Sequence, residues 1–599
     1  MIILGISDSI ESHACIVKDG VLLAAHAEER FSRLKADSGY PYNAIKQIFK
    51  LTGISPTEVD VVALAGYDNG KFQSLYKPNA LFNVSDWILQ NELYWKPKLY
   101  ENKPLSELDD FLIWEKKFPQ MKKDPYYPFI KKAKKNNPKD YLKLFNEQRK
   151  KTISDQLGIS KNKIYTFRHE TCHQYYGYYS QQSFKKDALI FTLEGGGDDS
   201  SATISVVKNY QIKEKYKTND AMVGRIYRYI TLLLGMKPGQ HEYKVMGLAP
   251  YGTKYHGQKS LEHFRKFNKI KGYKIEKTKN FKDVYLSSKK MLQAERFDGI
   301  AWGLQQYVEE FIEKWTLNAI KKFKISDIIF SGGVAQNIKA MKHLISLREV
   351  KSVWTGPVSG DGSLAIGAAW IANKKLNKKH KIRKMDNIYL GTEIKSSSLK
   401  KEILKRCKKF KIVKNIKNKK IAEWLSKGLI IARCRGRMEF GQRSLGNRSI
   451  LADSRNYNNI DKINKKIKIR DFWMPFTPSL TIDGCKKILK NPKNIYSPYM
   501  TMAFDINKNY EKYLSAVIHP SDKSIRPQML KRESNKDYYD LLKEYEKITG
   551  LPVLLNTSFN LHGDAIVENA TQAINTFKRS DLDILVINNF AIIRREKND

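Results

Sequence analysis

Apolar and polar positions alternate in blocks along the chain, and two of those blocks share one plan. The first runs as MIILGIS (residues 1–7), a polar turn over 8–12, HACIVKDG (13–20) and VLLAAHAEE (21–29). From Asp187 the plan recurs as DALIFTLE, the turn GGGDDS, then SATISVVKN and YQIKEKYK. Each block predicts strand, acidic turn, strand, short turn, strand. KIYTF (163–167) predicts another strand, with a helix starting near His169. Residues 296–324 carry apolar positions at helical spacing and predict a long amphipathic helix. Strand DIIF and the turn SGGVAQN (331–337) follow, then strand SVWTG and a loop, 356–362, that enters a helix of small residues. Residues 68–150 break the pattern: they are rich in Tyr, Trp, Lys and Pro, and predict a helical insertion or lid. The basic, strand-free stretch 372–384 marks a boundary between domains at 1–378 and 385–599. A second α/β unit follows, with helices over KKEILKRCKKF and KKIAEWLSKG and strand LIIARCRG. Strands LPVLLN and LDILVINN, with a helix over ENATQAINTF between them, close the chain.

Two such meanders suggest two related α/β halves facing each other, the plan of the actin, sugar-kinase and heat-shock ATPase (ASKHA) superfold; two unrelated hairpins would give the same local pattern. In that plan the acidic and glycine-rich turns point into a cleft, where backbone N–H groups can cradle phosphates. The length of 599 residues allows two to four domains. No apolar run reaches the roughly 18 residues of a membrane span, and the N-terminus meets Asp8 too soon for a signal peptide. Five scattered cysteines fit a reducing cytoplasm better than a disulfide scaffold. A net charge of +45 would ordinarily point to nucleic acid or an anionic membrane. Here Arg supplies only 23 of the 107 basic residues, and Lys is spread throughout beside Asn and Ile. A solvated lysine surface is the preferred reading, and nucleic acid is not the expected partner. Against that background Arg433, Arg435, Arg437, Arg443, Arg448 and Arg455 stand out and predict an anion site, since Arg offers a planar bidentate donor.

His169-Glu170-Thr171-Cys172-His173 admits two readings. As H-E-x-x-H it is the zincin motif, with Glu170 as base. As H-x-x-x-H it is a pair of imidazoles one helical turn apart, able to share one ion. With a carboxylate from elsewhere that pair makes a facial site for iron(II), manganese or zinc. Asp361, framed by glycines at the head of a helix, is the candidate third ligand; a helix N-cap is its alternative role. Gly332, Gly333 and Asn337, in the turn after DIIF, are candidates for close nucleotide contact.

Longer stretches carry a resemblance. They are AEERFSRLKADSGYP (27–41), HETCH, YKVMGLAPYG (243–252), SGGVAQN, PVSGDGSLAIGAA (357–369), GRMEFGQRSLGNRSILADSR (436–455), KIKIRDFWMPFTPS (466–479), HPSDKSIRPQ (519–528) and LPVLLNTSFNLHGDAIV (551–567). They resemble the O-carbamoyltransferases of nodulation factors and antibiotics (tobramycin-type). The resemblance implies a duplicated ASKHA domain fused to a C-terminal YrdC-like α/β domain. It implies that the C-terminal domain forms carbamoyl-adenylate from carbamoyl phosphate and ATP, with Mg2+ accompanying ATP. The adenylate then passes internally to the N-terminal domain, and the carbamoyl group goes to a hydroxyl of a small molecule or glycan. The metal ligands implied are His169, His173 and Asp361, with iron(II) favoured. Lys468 and Arg470, on one face if that segment is a strand, resemble a phosphate clamp, with Arg526 as a third member. Ser558 and Asn560 resemble a nucleotide turn, and Arg443 and Arg448 are candidate lining of the internal path. Two turns depart from the family pattern: Ile10-Glu11-Ser12-His13-Ala14, and Glu194-Gly195-Gly196-Gly197-Asp198, in which Asp198 is the candidate catalytic acid. A tRNA threonylcarbamoyl-type enzyme and an inactive nucleotide-binding scaffold are the alternatives. A homodimer is compatible with either.

Overall fold

Two five-stranded sheets with the same strand order build the N-terminal part of the chain. The computed structural model describes residues 1–68, 70–76, 81–136, 141–278, 281–377 and 379–594. The first sheet contains β1 (Ile2–Ser7), β2 (His13–Lys18), β3 (Val21–Ala27), β4 (Val61–Ala65) and β5 (Ile164–Phe167), in the order β3-β2-β1-β4-β5. The second contains β6 (Ala188–Leu193), β7 (Ala202–Lys208), β8 (Gln211–Thr218), then, past a small hairpin of β9 (Asn268–Lys271) and β10 (Lys274–Lys277), β11 (Asp327–Ser331) and β12 (Ser352–Thr355). Its order, β8-β7-β6-β11-β12, repeats the first. In both sheets the meander is antiparallel and the last two strands join in parallel. Both carry a register shift in the outer hairpin, at Ile16/Val17 and at Ile204/Ser205. β6 is apolar and buried along its whole length, as a central strand covered on both faces must be. β8 alternates lysines with less polar residues, which suits an edge strand in water.

Small residues let the helices between these sheets come close. The helix Leu364–Leu376 crosses β1 so tightly that a Cβ on Gly5 would stand 2.3 Å from the Ala365 carbonyl oxygen. On its other side, a Cβ on Gly367 would stand 2.1 Å from the Cys172 oxygen. The helix His169–Tyr179 is thereby pressed against it, with both histidines buried.

The segment 68–150 is helical over most of its described residues, including Val84–Gln90, Glu107–Lys117, Pro128–Asn136 and Tyr141–Leu157. Phe72, Phe111, Phe129 and Phe145 share one apolar core with Leu4, Ile6, Val62 and Leu64. The insertion is therefore part of the first sheet's core. A buried ion pair fixes it: Arg149 holds both oxygens of Asp8, at 2.6 and 2.8 Å, and the Tyr126 hydroxyl donates to Asp8 at 2.7 Å.

The chain divides into compact units Met1–Met385 and Asp386–Asp599. Residue 378, where the sequence placed the end of the first domain, lies outside the described residues, as do 69, 77–80 and 137–140 of the insertion. The second unit has an eight-stranded mixed sheet. Its strands are β13 (Lys411–Val413), β14 (Ile431–Cys434), β15 (Arg448–Asp453), β16 (Thr477–Thr481), β19 (Gln528–Leu530), β20 (Val553–Ser558), β21 (Ile584–Ile587) and β22 (Phe590–Ile593). Their order is β13-β22-β21-β14-β15-β20-β16-β19, and a short ribbon, β17 (Leu489–Lys490) with β18 (Asp505–Ile506), stands apart. The helices Asn418–Ser426 and Lys536–Thr549 cover one face through Ile421, Leu425, Leu541 and Leu542. The protein is thus α/β with mixed sheets in both units. Among the described residues no helix is long and apolar enough to cross a membrane.

Candidate functional site

The histidine pair faces two carboxylates. His169 and His173 lie one turn apart with their Nε2 atoms separated by 3.2 Å. Asp361 Oδ1 is 3.6 Å from His169 Nε2 and 3.5 Å from His173 Nε2. Glu194, at the end of β6, brings Oε1 to 2.8 Å from His173 Nε2. One ligand atom from each of the four residues falls within 4.8 Å of the others. Two imidazoles, which ligate in their neutral form, and two carboxylates suit a borderline or hard divalent cation, so the donor set fits the expected metal. Asp361 opens a short 3-10 turn whose N-cap is Gly360; its carboxylate turns to the histidines. Burial alone would depress His173, but Glu194 and Asp361 outweigh it and raise its pKa to about 10. Burial would raise Asp361, but the charges of His169 and His173 hold it down at about 2.

The glycine turn after β11 serves this cluster. Gly332 has φ +94, and a Cβ there would lie 2.6 Å from Glu194 Oε1. Gly333 N–H donates to the same oxygen at 2.8 Å, and Gly332 N–H bonds Ser359 O at 2.7 Å, tying the turn to the loop that carries Asp361. Asn337 caps the next helix through Ala340 N–H and pairs with Gln305. Carboxylate support and helix capping are thus the roles these three nucleotide candidates, Gly332, Gly333 and Asn337, have within the chain itself.

The structure also places the acidic residues around the histidine pair. Glu170 accepts N–H bonds from Asp199 and Ser200, both at 2.9 Å, so it faces the turn after β6 and cannot act as a zincin base on the histidine pair. Asp198 accepts from Tyr67 N, Asp68 N and His169 N at 2.8–2.9 Å. Its carboxylate thereby anchors the start of the histidine helix. In the other departing turn, Glu11 sits at φ +58 with Oε2 3.2 Å from Gly362 N, beside Asp361. His13 next to it accepts from Ala365 N at 3.0 Å, and burial drives its pKa down to about 4.

In the second unit, Lys468 and Arg470 do not lie on a strand. Residues 464–468 form a π turn, and Ile469 takes φ +45. The sharp reversal still sends both cations to the end of β20. Lys468 Nζ lies 3.2 Å from Ser558 Oγ and 2.9 Å from Asn560 Oδ1. Arg470 donates to Thr557 Oγ1 at 2.8 Å and covers the Phe476 ring at 4.4 Å. Arg526 stands at the entry of β19, with β16 between that strand and β20.

The arginine-rich stretch is mostly structural. Arg448 is buried and donates to the carbonyls of Thr392 (2.9 Å), Asn447 (3.0 Å) and Gly436 (3.1 Å). Arg433 and Arg435 pair with Asp537, Arg437 holds Leu390 and Gly391 carbonyls, and Arg455 pairs with Asp453. A fork of five donors satisfies crowded carbonyls as well as it binds phosphate. Arg443, half-buried, is the remaining member.

Comparison with known proteins places the chain. Residues 2–370 match the family model "Carbamoyltransferase N-terminus" and residues 422–594 match "Carbamoyltransferase C-terminus". The chain belongs to the carbamoyltransferase family. It is thus a transferase, and both halves of the family's architecture are present in order. The uncharacterized protein MJ1051 of Methanocaldococcus jannaschii is 30% identical, with 98% of this chain and 99% of that protein covered. Nodulation protein NolNO of Sinorhizobium fredii is 26% identical over 97% of this chain and 78% of its own length. Nodulation protein NolO of Bradyrhizobium diazoefficiens is 28% identical over 68% and 76%. Among solved structures, component A of (R)-2-hydroxyglutaryl-CoA dehydratase from Acidaminococcus fermentans is 14% identical over 63% of this chain and 98% of its own, with a TM-score of 0.32. A TM-score this low leaves the fold to be read from the strand order itself. Glu194 is the member of the four-residue group that sequence reasoning passed over as a possible ligand; its signal was a carboxylate closing a buried strand just before three glycines.

Proposed function

We propose that the protein makes carbamoyl-adenylate in the Asp386–Asp599 unit and transfers its carbamoyl group to a hydroxyl in the Met1–Met385 unit. In this reading the duplicated sheets are an ASKHA domain and the second unit is YrdC-like. Carbamoyl phosphate takes up water to give phosphate and carbamate. A carbamate oxygen then attacks the α-phosphorus of ATP, carried with Mg2+, and pyrophosphate leaves. In the second reaction the acceptor oxygen bonds to the carbamoyl carbon, AMP departs, and the hydroxyl proton passes to solvent.

The observation that carries the proposal is the convergence of Lys468, Arg470, Ser558 and Asn560 at one strand end, within a unit that matches the family's C-terminal model. Fixed cations with hydroxyl and amide groups in one small volume suit a polyanion whose charge shifts between phosphates. In the first unit His169, His173 and Asp361 would hold a divalent cation, iron(II) being favoured by the resemblance. Bound there, it would supply charge neutralisation at the adenylate phosphate. The chain's own residues do the rest. Gly333 N–H fixes Glu194, Ser363 Oγ lies 3.5 Å from His173 Nδ1, and Asp198 fixes the start of the histidine helix. The acceptor is a small molecule or glycan rather than tRNA, and its reaction is cytoplasmic. The test is pyrophosphate release measured with ATP and carbamoyl phosphate together and with each alone. Release that ignores carbamoyl phosphate would refute the reading.

A further inference from the structure

A second cationic feature lies beside the metal-type cluster, and none of the roles described so far uses it. The helix Val223–Leu233 buries Ile226, Tyr227 and Ile230 on one face. Arg225 and Arg228, three residues apart, share another face. Both are half-buried. Gly224 starts this helix hard against the end of β6: a Cβ on it would stand 2.5 Å from the Glu194 carbonyl carbon. The two guanidinium groups are thereby held over the turn Gly195-Gly196-Gly197. A Cβ on Gly195 would be 3.4 Å from Arg228 Nη2, and one on Gly196 would be 3.7 Å from Arg225 Nη2. Any side chain at Gly195 would crowd the space the guanidinium uses.

Arg225 Nε donates to Gly195 O at 2.8 Å, which aims the rest of its fork at the turn. Among the described residues no carboxylate lies within ion-pair distance of either guanidinium, and Arg228 forms no hydrogen bond, though its charge is felt at Glu242 and Asp361. Burial, and to a lesser degree the neighbouring Arg228 charge, lower the Arg225 pKa, as expected for like charges brought together. Arg228 is also close enough to Asp361 for its charge to help hold that carboxylate down. Two adjacent, half-desolvated arginines are costly unless an anion joins them. In a chain with 23 Arg among 107 basic residues, a forked donor at both positions matches carboxylate or phosphate geometry.

We propose that Arg225 and Arg228 form an oxyanion subsite that binds a carboxylate or phosphate group of a substrate next to the His169–His173–Asp361 cluster. This rests on the proposed function, since it names the chemistry of a substrate of that same site. Two substrates present such a group: the adenylate, through its phosphate, and an acceptor that is itself a sugar acid or sugar phosphate. A neutral hydroxyl acceptor with no anionic group leaves the subsite without a role unless the adenylate fills it.

The test is arginine footprinting of the full-length protein with phenylglyoxal, read by mass spectrometry at Arg225 and Arg228. The probes are inorganic phosphate, AMP, glucose 6-phosphate and glucuronate, with glucose as the neutral control. At about ten times the dissociation constant, a probe that occupies the subsite slows modification about tenfold. Arg265, exposed and paired with Glu310, reports nonspecific effects. Protection of both arginines by phosphate, with Arg265 unchanged, is the expected result. Protection by AMP but not by the sugar anions assigns the subsite to the adenylate; the reverse pattern assigns it to an anionic acceptor. Unprotected Arg225 and Arg228 with every anion, or protection no greater than at Arg265, overturns the subsite. Pyrophosphate release on the same preparation tests the underlying function separately: intact release without protection sinks the subsite alone, and protection without release sinks the function alone.

Discussion

At the scale of single residues, the donors in each unit are held before any ligand arrives. His173 is fully buried, with Glu194 and Asp361 on one nitrogen and Ser363 near the other. Replacing it removes the centre of the four-residue group while leaving the second unit untouched. His173→Ala is expected to abolish carbamoyl transfer and to leave carbamoyl-adenylate formation at the wild-type rate, as followed by acceptor-independent pyrophosphate release. Loss of both partial reactions in a folded variant would reject the division of labour. Metal analysis of anaerobically purified wild type should give about one ion per chain and His173→Ala far less; no ion in reconstituted wild type rejects the site. Arg470 poses a different question, because its plane lies over Phe476 and its fork reaches Thr557. Lysine keeps the charge and loses both the stacking and the fork. Arg470→Lys is expected to slow pyrophosphate release at least about tenfold, equivalent to roughly 1.4 kcal/mol of transition-state stabilisation. Wild-type release would mean that the residue clamps no phosphate.

At the scale of elements, close approach decides which parts of the site the sequence could reveal. The duplicated meander was legible because buried strands read as apolar runs and their turns as acid and glycine. The histidine pair was legible because i,i+4 spacing puts two side chains on one helix face whatever surrounds them. Glu194 reaches His173 only because β6 ends beside the histidine helix, a tertiary fact that no local spacing encodes. The internal bonds of the arginine stretch were not legible, because a guanidinium that satisfies carbonyls looks the same in sequence as one that awaits phosphate. Gly332 tests the element directly. It has a left-handed backbone, and a Cβ would push on the Glu194 carboxylate. Gly332→Ala is expected to cost about 1–3 kcal/mol in unfolding stability and to weaken metal loading. Unchanged denaturation and unchanged loading would show that the turn does not support Glu194. The insertion carries a second element-scale test. In the helix Glu107–Lys117, burial pushes Asp110 up to about 6, against the N–H bonds it accepts from Trp114 and Gln90. A carboxyl whose folded pKa is raised stabilises fully below its unfolded value of 3.8, and that stability is lost as pH rises through about 6. The loss is on the order of 3 kcal/mol. Asp110→Asn should flatten the unfolding free energy between those two pH values, and persistence of the wild-type slope would assign the pH dependence to another group.

At the scale of the whole molecule, two compact units carry two kinds of anchored site, and the +45 net charge belongs to neither in particular. The two reactions differ in what they need. In the proposed reading, adenylate formation needs fixed cations around departing pyrophosphate, a role for which Lys468 and Arg470 are the candidates at the end of β20. Carbamoyl transfer needs the acceptor oxygen held beside the carbamoyl carbon, a matter of positioning near the histidine pair and the Arg225–Arg228 face. If each unit performs one reaction, lesions in the two units must respond differently to the shared intermediate. Chemically prepared carbamoyl-adenylate, added without ATP or carbamoyl phosphate, is expected to restore carbamoyl transfer in Arg470→Lys to within about twofold of wild type, since its loss of roughly 1.4 kcal/mol falls on the bypassed step. The same addition should leave His173→Ala inactive, with carbamoylated product measured by mass spectrometry against a hydroxyl acceptor. Rescue of both variants would place the histidine pair upstream of the adenylate. Rescue of neither would place Arg470 in transfer as well as in adenylation, because a residue needed only to make the intermediate cannot limit its use once it is supplied.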